Sequence, residues 1–486
     1  MNLPDMLEAK KRTKNPVEIK EYTLDEKYKG TGYGKNYFIR TYGCQMNEHD
    51  TENIKGILES AGYCEVSEME DADVIILNTC AIRENAHDKV FGFLGAVKHL
   101  KSKRPEVIAG LCGCMVQEKS VVDEILEKYK WLDFVFGTHN IDSVLKLIEA
   151  SKENKKSQIE VFSCEGNVLE GLPSKNESKY KAWVNIQLGC DKFCTYCIVP
   201  YTRGKQRSRE HERIVEEVLS LKRQGYREVT LLGQNVNAYG KDIYDNYNLA
   251  QLLRDVSDTG IERVRFVTSH PWDFTDEMID IIAERENVMP YVHLPLQSGS
   301  NRILKLMGRR YTKEEYIELY DKIREKVPGV SITTDIIVGF PGETEEDFED
   351  TMDVVNHCKY DGAFTFIFSP RKGTPAERME DNTPLNKKEE RLYKLNEVVN
   401  KYSNERNQEY DGKIVNVLLE GVSEKNSEML YGYTETMKLV NVKADPFFIG
   451  CVIPVRITEV HTWSLDGEMV YEEEHNCDDC MFSCYC

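Results

Sequence analysis

The middle of the chain repeats one pattern, in which a short β-type run is followed by a charged amphipathic helical segment, as in parallel βα units. Six such runs recur at intervals of about 30 residues or more, at 183–187, 228–232, 263–267, 291–294, 331–338 and 362–368. Six units predict an α/β fold with a partial (βα)6 barrel, because a closed barrel of this kind needs eight. A ligand site is then expected at the carboxyl ends of the strands.

The loops after these runs are polar or rich in glycine, which lets backbone amides and small side chains approach a cofactor closely. We expect such a cofactor to be contacted by Asn235, Ser269, Gln297 and Gly339. His270 and His293 also follow strands. Both are interpreted as structural residues, because a lone histidine in this position is more often satisfied locally than catalytic.

The N-terminal part shows the same alternation from residue 37 to residue 150 and predicts a flavodoxin-like parallel sheet. Three predicted strands are each followed by a cysteine, namely 37–41 by Cys44, 74–78 by Cys80 and 107–111 by Cys114. Carboxyl ends of parallel strands share one edge, so the thiols are expected to converge into a metal-cluster site. Cys112 is the alternative third ligand, although its place at a strand end favours inward packing.

A second set of cysteines lies on one short loop. Cys190, Cys194 and Cys197 have the spacing C-x3-C-x2-C. Three thiolates can hold three corners of a [4Fe–4S] cube and leave the fourth iron open, whereas a structural zinc site wants four ligands. The alternative is a zinc site with a distant fourth ligand. Tyr196, within this loop, either fills core space or packs against an adenine ring.

Composition indicates where the protein acts and how its cysteines are used. The chain has 15 cysteines, no apolar stretch long enough to span a bilayer, and a highly charged N-terminus without an apolar signal core. We therefore expect a cytoplasmic protein with no membrane association that uses its thiols for metal or redox chemistry. The net charge of -20 is unfavourable for a nucleic-acid partner, although one local basic cluster is formed by Arg203, Lys205, Arg207 and Arg209.

The C-terminal part changes character twice. A charged helical run at 384–408 precedes short β segments at 414–420, 438–442 and 452–458, which predict a small all-β barrel. The chain then ends in a segment with Cys477, Cys480, Cys484 and Cys486. These thiols either bind a metal or form a redox-sensitive end.

Four motifs connect these observations. They are Thr41–Asn47 (TYGCQMN), Leu77–Arg83 (LNTCAIR), Gly113–Gln117 (GCMVQ) and Gly189–Gly204 (GCDKFCTYCIVPYTRG). With them the chain resembles the radical-SAM methylthiotransferases, most closely the bacterial MiaB type that modifies tRNA. The resemblance implies that Cys44, Cys80 and Cys114 hold an auxiliary [4Fe–4S] cluster. It also implies that Cys190, Cys194 and Cys197 hold the cluster that binds S-adenosylmethionine (SAM).

Further properties follow from the same resemblance. The C-terminal barrel, with Trp463–Glu468 (WSLDGE), is similar to a TRAM domain, which the family uses to bind tRNA. Gln45-Met46-Asn47 is similar to the isopentenyladenosine-modifying branch, which implies methylthiolation of carbon 2 of N6-isopentenyladenosine at position 37 of tRNA, beside the anticodon. Two [4Fe–4S] clusters, SAM and an electron donor for cluster reduction are implied as well, and we expect a monomer.

Two alternatives stay open. The first is the same chemistry on threonylcarbamoyladenosine tRNA or on a ribosomal protein. The second is a non-catalytic iron–sulfur protein that binds RNA. In either case the chain is expected to divide into an N-terminal extension at 1–34, a methylthiotransferase N-terminal domain at 35–152, a linker at 153–175, a radical-SAM core at 176–408, a TRAM-like domain at 409–472 and a cysteine-rich tail at 473–486.

Overall fold

The computed structural model describes residues 17–81, 84–153, 157–161 and 168–470. The predicted cysteine-rich tail lies outside the described residues, as do the first 16 residues of the predicted N-terminal extension. None of the helices in the described ranges combines the length and the apolar character of a membrane-spanning segment.

The N-terminal sheet has six parallel strands. The first eight strands of the chain are β1 (Ile19–Glu21), β2 (Asn36–Tyr42), β3 (Cys64–Glu65), β4 (Val74–Thr79), β5 (Ile108–Gly113), β6 (Phe134–Phe136), β7 (Gln158–Glu160) and β8 (Val168–Glu170). In space the sheet runs β3-β2-β4-β5-β6-β7. This is the flavodoxin-like order that the sequence predicts, with one further strand at the edge.

Both faces of this sheet are covered. Alternate residues of β4 point to opposite sides, so that Ile75 and Leu77 enter one apolar core while Val74 and Ile76 enter the other. The covering helices are Gln45–Ser60, Glu84–Lys103, Lys119–Lys128 and Val144–Glu153. A parallel sheet buried on both faces leaves only its strand ends free for a site.

The strands of this part of the chain differ in two places from the sequence prediction. Residues 153–175 are not a linker throughout, because β7 pairs with β6, and β8 pairs with β1, which lies in the predicted N-terminal extension. Short edge strands need few apolar residues, so their polar sequences resemble a linker. In addition, β5 runs two residues beyond its predicted end and includes Cys112.

The central part contains the next eight strands. They are β9 (Lys181–Asn185), β10 (Gln187–Leu188), β11 (Arg207–Ser208), β12 (Glu228–Leu232), β13 (Arg263–Phe266), β14 (Tyr291–His293), β15 (Ser331–Val338) and β16 (Gly362–Ile367). Two parallel sheets, β13-β12-β9 and β14-β15-β16, meet at a bridge between Val264 and Val288. The predicted partial barrel of six strands is confirmed, and it is open on one side because β9 and β16 do not pair within the described ranges.

The apolar core of this part lies between the barrel strands and the helices that surround them. Alternate residues of the strands, such as Val229, Ile332 and Ile336, point outward and pack against these helices. The central helices are Val199–Thr202, His211–Arg223, Leu249–Asp258, Asp276–Glu284, Asn301–Leu306, Lys313–Lys326 and Glu345–Cys358. The first barrel strand ends earlier than predicted, because Gln187 and Leu188 turn away to pair antiparallel with β11.

Helix Leu385–Gln408 leads into a closed barrel of five strands, which confirms the predicted all-β fold. These strands are β17 (Ile414–Val422), β18 (Leu430–Thr434), β19 (Leu439–Lys443), β20 (Val452–Val460) and β21 (Leu465–Met469). The sequence analysis missed β18 and β21, because Gly432 and Gly467 interrupt their apolar alternation.

Two arginines fix the small barrel to the large one. Arg263 and Arg265, near the start of β13, donate hydrogen bonds to carbonyl oxygens of Asn416, Tyr433, Thr434 and Glu435. The small barrel therefore lies at the amino-terminal ends of the barrel strands. The carboxyl ends, where a ligand site is expected, remain clear of it.

Candidate active site

Three cysteines follow three adjacent strands of the N-terminal sheet. Cys44 comes after β2, Cys80 after β4 and Cys114 after β5. Asn47 connects two of them, since Cys44 Sγ donates to Asn47 Oδ1 at 3.4 Å and Asn47 Nδ2 donates to Cys114 Sγ at 3.9 Å. Cys80 forms a hydrogen bond with Cys44. The three thiols therefore converge at one edge, as the order of the strands predicts.

Gly113 separates the two candidates for the third ligand. Its φ is +101°, and an added Cβ would collide with the carbonyl oxygen of Thr79, so a side chain cannot be accommodated there. On one side of this turn, Cys112 packs in an apolar core, where burial raises its pKa. On the other side, Cys114 lies beside Asn47 at the edge of the sheet.

The N-terminal thiols differ in acidity. The pKa of Cys44 falls to about 6, because Cys80 forms a hydrogen bond with it and Arg203 lies nearby. Burial raises the pKa of Cys114 to about 11, although the charge of Arg203 opposes the rise. Converging thiols of this kind fit an iron–sulfur cluster, because a metal stabilises the thiolate form of its ligands.

The second cysteine loop is held by its own backbone. Gly189 has a φ of +75°, and an added Cβ would collide with the carbonyl oxygen of Gly204. The N–H of Cys190 donates to that same carbonyl at 3.1 Å, and the N–H of Cys197 donates to the carbonyl of Cys194 at 3.0 Å. These contacts bring the three cysteines together on a compact turn.

Burial raises the pKa of two thiols of this second group. It raises the pKa of Cys190 and, to about 12, that of Cys197, and the neighbouring Cys194 adds to both rises. Arg309, which is 8% exposed, donates from Nη1 to Cys194 Sγ at 3.6 Å. Neighbouring thiolates repel one another and need positive charge beside them, so this donor set also fits an iron–sulfur cluster.

Arg203 joins the two groups of cysteines. It follows Cys197 by six residues, and its side chain is 3% exposed. Its Nε donates to Cys114 Sγ at 3.0 Å, and its Nη2 donates to Asp50 Oδ2 at 2.6 Å. Apolar side chains from both parts of the chain pack around this contact: Ala81, Phe193, Ile198 and Tyr201. The two groups therefore face each other across one buried interface.

The basic cluster noted in the sequence is largely structural. Arg203 and Arg207 are buried, and Arg209 forms ion pairs with Glu170 and Glu217 at 2.5 and 2.8 Å. These arginines are not a solvated basic face that could attract phosphates.

A group of buried polar atoms lies at the carboxyl ends of β9, β12 and β13. Five of them have no hydrogen-bond partner among the described residues: Asn185 Oδ1, Gln187 Oε1, Gln234 Nε2, Asn235 Oδ1 and Ser269 Oγ. Buried polar atoms are normally paired, so such a group fits a polar ligand. SAM, with its amino acid and ribose, is a ligand of this kind.

The remaining predicted cofactor residues lie on neighbouring loops. Gln297 follows β14 with a φ of +68°, and its N–H donates to the carbonyl of Asp335 at 2.8 Å. Gly339 follows β15 and donates to Glu343 Oε2 at 2.7 Å. Tyr196 packs against an apolar cluster that contains Phe340. A role in binding SAM stays a prediction for these residues and for Asn235 and Ser269.

The two histidines have local contacts. Nδ1 of His270 accepts from the N–H of Trp272 at 3.3 Å, and burial lowers the pKa of His270 to about 2, which keeps its ring neutral. His293 lies 3.0 Å from Thr333 Oγ1 through Nδ1.

Several residues of the site were missed from the sequence. Asn185 is the last residue of β9, Gln187 follows it by two residues, and Gln234 follows the end of β12 by two residues. A polar residue at or just after the end of a strand was the available signal. Asn47 was visible only as part of a motif. The contacts of Arg203 and Arg309 with thiols have no local signal, because their partners lie 89 and 115 residues away.

Three family models match the chain. The model described as uncharacterized protein family UPF0004 matches residues 36–137, the radical SAM superfamily matches 184–355, and the TRAM domain matches 408–470. One solved structure is the radical S-adenosylmethionine methyltransferase TsrM from Kitasatospora setae, with a TM-score of 0.51 and 14% identity over 70% of this chain and 77% of that chain. At this identity the likeness shows the fold alone. Fold and site together define a radical-SAM enzyme of the methylthiotransferase class.

Curated relatives are much more similar. The chain is 52% identical over 475 residues to the tRNA-2-methylthio-N(6)-dimethylallyladenosine synthase of Staphylococcus epidermidis. It is 53% identical over 470 residues to the synthase of the same name in Bacillus pumilus. These alignments cover 97% and 96% of this chain and 92% of each relative. The chain belongs to this family.

Proposed function

We propose that this protein adds a methylthio group to carbon 2 of N6-isopentenyladenosine at position 37 of tRNA, beside the anticodon. The observation that carries the proposal is the pair of three-cysteine sites that face each other across Arg203. An aromatic C–H has no acidic proton, so a general base gives little access to it. A reaction there needs radical chemistry at one site and a source of sulfur at another.

Each cysteine group is assigned one cofactor. Cys44, Cys80 and Cys114 would hold an auxiliary [4Fe–4S] cluster, and Cys190, Cys194 and Cys197 would hold the cluster that binds SAM. When bound, these cofactors supply one-electron cleavage of SAM, a methyl group and sulfur. The protein's part is to hold the two sites at a fixed separation, to bind SAM and to exclude water from the reacting atoms.

Named contacts support that division of work. Asn47 and Arg203 orient thiols of the auxiliary site, and Arg309 orients Cys194 of the SAM site. The unpaired polar atoms near Asn235 and Ser269 would bind the amino acid and ribose of SAM. These groups lie at strand ends, at helix ends or on loops tied by backbone hydrogen bonds, which favours precise positioning.

The choice of substrate rests on the relatives and on one motif. The proteins of Staphylococcus epidermidis and Bacillus pumilus are synthases of 2-methylthio-N(6)-dimethylallyladenosine in tRNA. Gln45-Met46-Asn47 favours the same branch. tRNA is therefore the proposed partner, together with an electron donor. The domain limits, cytoplasmic location and monomeric state expected from the sequence belong to the same proposal.

Mass spectrometry of nucleosides tests this function. tRNA that carries isopentenyladenosine is incubated with anaerobically reconstituted, reduced protein and SAM, and a parallel reaction uses threonylcarbamoyladenosine tRNA. The proposal predicts a methylthio product from the first tRNA alone. Release of 5′-deoxyadenosine without that product would support the assignment as a radical-SAM enzyme and contradict the assigned substrate. Absence of both would contradict the proposed function.

A further inference from the structure

The interior of the partial barrel carries two exposed aromatic side chains on its last strand. Phe364 is 57% exposed and Phe366 is 51% exposed. Their neighbours on β16, Ala363 and Ile367, pack against the outer apolar core. Because side chains alternate along a strand, the two phenylalanines point to the interior face of the barrel.

Polar residues lie beside this aromatic pair. The register of the sheet places Asp335 of β15 opposite Phe364. On the next strand, the ring of His293 lies 6.0 Å from the ring of Phe364, and its Nε2 lies 3.4 Å from Asp335 Oδ2. The interior wall therefore combines an apolar strip on β16 with a polar strip on β14 and β15.

The apolar strip is continuous with the candidate cofactor site. Ile337 lies opposite Phe366 in the sheet. It packs against the apolar cluster that contains Phe340 and that also receives Tyr196. Tyr196 belongs to the SAM loop, and Phe340 directly follows Gly339. A group held on the two phenylalanines would therefore lie next to the expected position of SAM.

The two rings belong to none of the apolar cores in the described ranges, although large apolar side chains gain most from burial. An apolar strip beside polar groups fits a ligand with one apolar branch and one polar edge. An adenine that carries a dimethylallyl group has this character. A threonylcarbamoyl group would bring a carboxylate towards Asp335 and leave the rings uncovered, which is unfavourable for its binding.

We propose that Phe364 and Phe366 receive the dimethylallyl group of the substrate nucleoside and thereby select this substrate. The inference rests on the proposed function, which it deepens by assigning a specificity surface. Its occupant is the modified adenosine of an anticodon loop.

Binding of two anticodon stem-loop RNAs tests the surface. The RNAs are identical except that one carries the dimethylallyl group, and fluorescence anisotropy measures their affinity for reconstituted protein without SAM. Wild-type protein is expected to prefer the prenylated RNA by about tenfold or more. Replacing both rings, Phe364→Ser with Phe366→Ser, should reduce this preference to about threefold or less and leave binding of the unmodified RNA unchanged.

Two further variants make the test specific. Tyr393→Ser removes an aromatic side chain that is 66% exposed on helix Leu385–Gln408, and it should leave both affinities unchanged. Phe366→Trp keeps the surface apolar but fills the space, so it should weaken binding of the prenylated RNA alone. Equal melting temperatures and iron contents show that the variants are folded.

Three outcomes overturn the inference: the double serine variant keeps the full preference, it loses affinity for both RNAs equally, or the wild-type protein has no preference. The nucleoside assay on the same RNAs separates this from the proposed function. If the wild-type protein forms the methylthio product but binds both RNAs equally well, only the assignment of the specificity surface is contradicted. If it forms no methylthio product, the proposed function is contradicted.

Discussion

Arg203 donates from Nε to Cys114 Sγ over 3.0 Å, and the two residues lie in parts of the chain that match different family models. A buried guanidinium is tolerated only when its charge is compensated, and here Asp50 supplies a carboxylate at 2.6 Å. Because Arg203 follows the last cysteine of the SAM loop by six residues, this contact fixes one cysteine site relative to the other. This side chain thus helps to set the separation of the two reaction centres, together with the apolar side chains packed around it.

Removal of this side chain should destabilise the protein strongly. Arg203→Ala leaves Asp50 buried without a partner and is expected to cost about 3–5 kcal/mol of unfolding free energy. Denaturant unfolding of the anaerobic protein measures the loss. Arg213→Ala is the matched control, because Arg213 is 49% exposed and its nearest carboxylate, in Glu21, is 3.7 Å away. The control should cost less than about 1 kcal/mol. Equal losses in the two variants would show that the buried contact is unimportant.

A second prediction concerns Gly113, which precedes a cysteine of the auxiliary site. Gly113→Ala places a Cβ against the carbonyl oxygen of Thr79 and should push the end of β5 away from Cys80. Gly225→Ala is the control, because Gly225 also has a positive φ, +91°, but has open space around it. The control should cost about 1 kcal/mol through backbone strain. The Gly113 variant should cost more in thermal unfolding and should also lose iron on reconstitution. Similar melting temperatures and iron contents would contradict this account of the turn.

Glu118 should make stability depend on pH. Burial raises its pKa to about 7, while Arg371 and Lys372 oppose the rise. The folded protein therefore binds this proton more tightly than the unfolded chain, whose pKa is about 4.3. Stability from this group is then present at low pH and is lost as pH rises towards about 7.

Glu118→Gln removes the charge at every pH. The variant should be more stable than wild type at pH 8, by on the order of 1–2 kcal/mol after allowance for solvent screening, and equal to it near pH 4. Thermal unfolding at both values measures the difference. Glu127→Gln, at an exposed position of helix Lys119–Lys128, which begins directly after Glu118, should show no such dependence. A gain that is the same at both pH values would refute the role of the buried charge.

Features with a local signal could be predicted from the sequence. Cys44, Cys80 and Cys114 were placed at one edge because each follows a strand of the βα alternation, and that alternation depends on apolar spacing alone. The same spacing predicted all six barrel strands. Glycine at position 113 then decides between Cys112 and Cys114. Residues two apart on a strand point to the same face, but the positive φ of Gly113 ends the strand geometry, so that Cys112 stays in the core while Cys114 lies at the edge of the sheet.

Features that depend on distant partners could not be predicted. Asp50 lies 153 residues from Arg203, so the sequence offered a basic cluster where the structure has a buried ion pair. Strands β7 and β8 have only three residues each and pair at edges, where apolar periodicity is absent. The exposure of Phe364 and Phe366 depends on which face of β16 meets the outer core, and alternation alone does not fix that choice.

The division of work between the two cysteine sites is tested most directly by one paired measurement. Reduced Cys194→Ala and Cys80→Ala variants are each incubated with SAM and isopentenyladenosine tRNA, and 5′-deoxyadenosine and methylthio nucleoside are quantified in the same samples. Cys194→Ala should give neither product. Cys80→Ala should still release 5′-deoxyadenosine but form no methylthio nucleoside. A methylthio nucleoside made by the Cys80 variant would contradict the assignment of two separate cysteine sites.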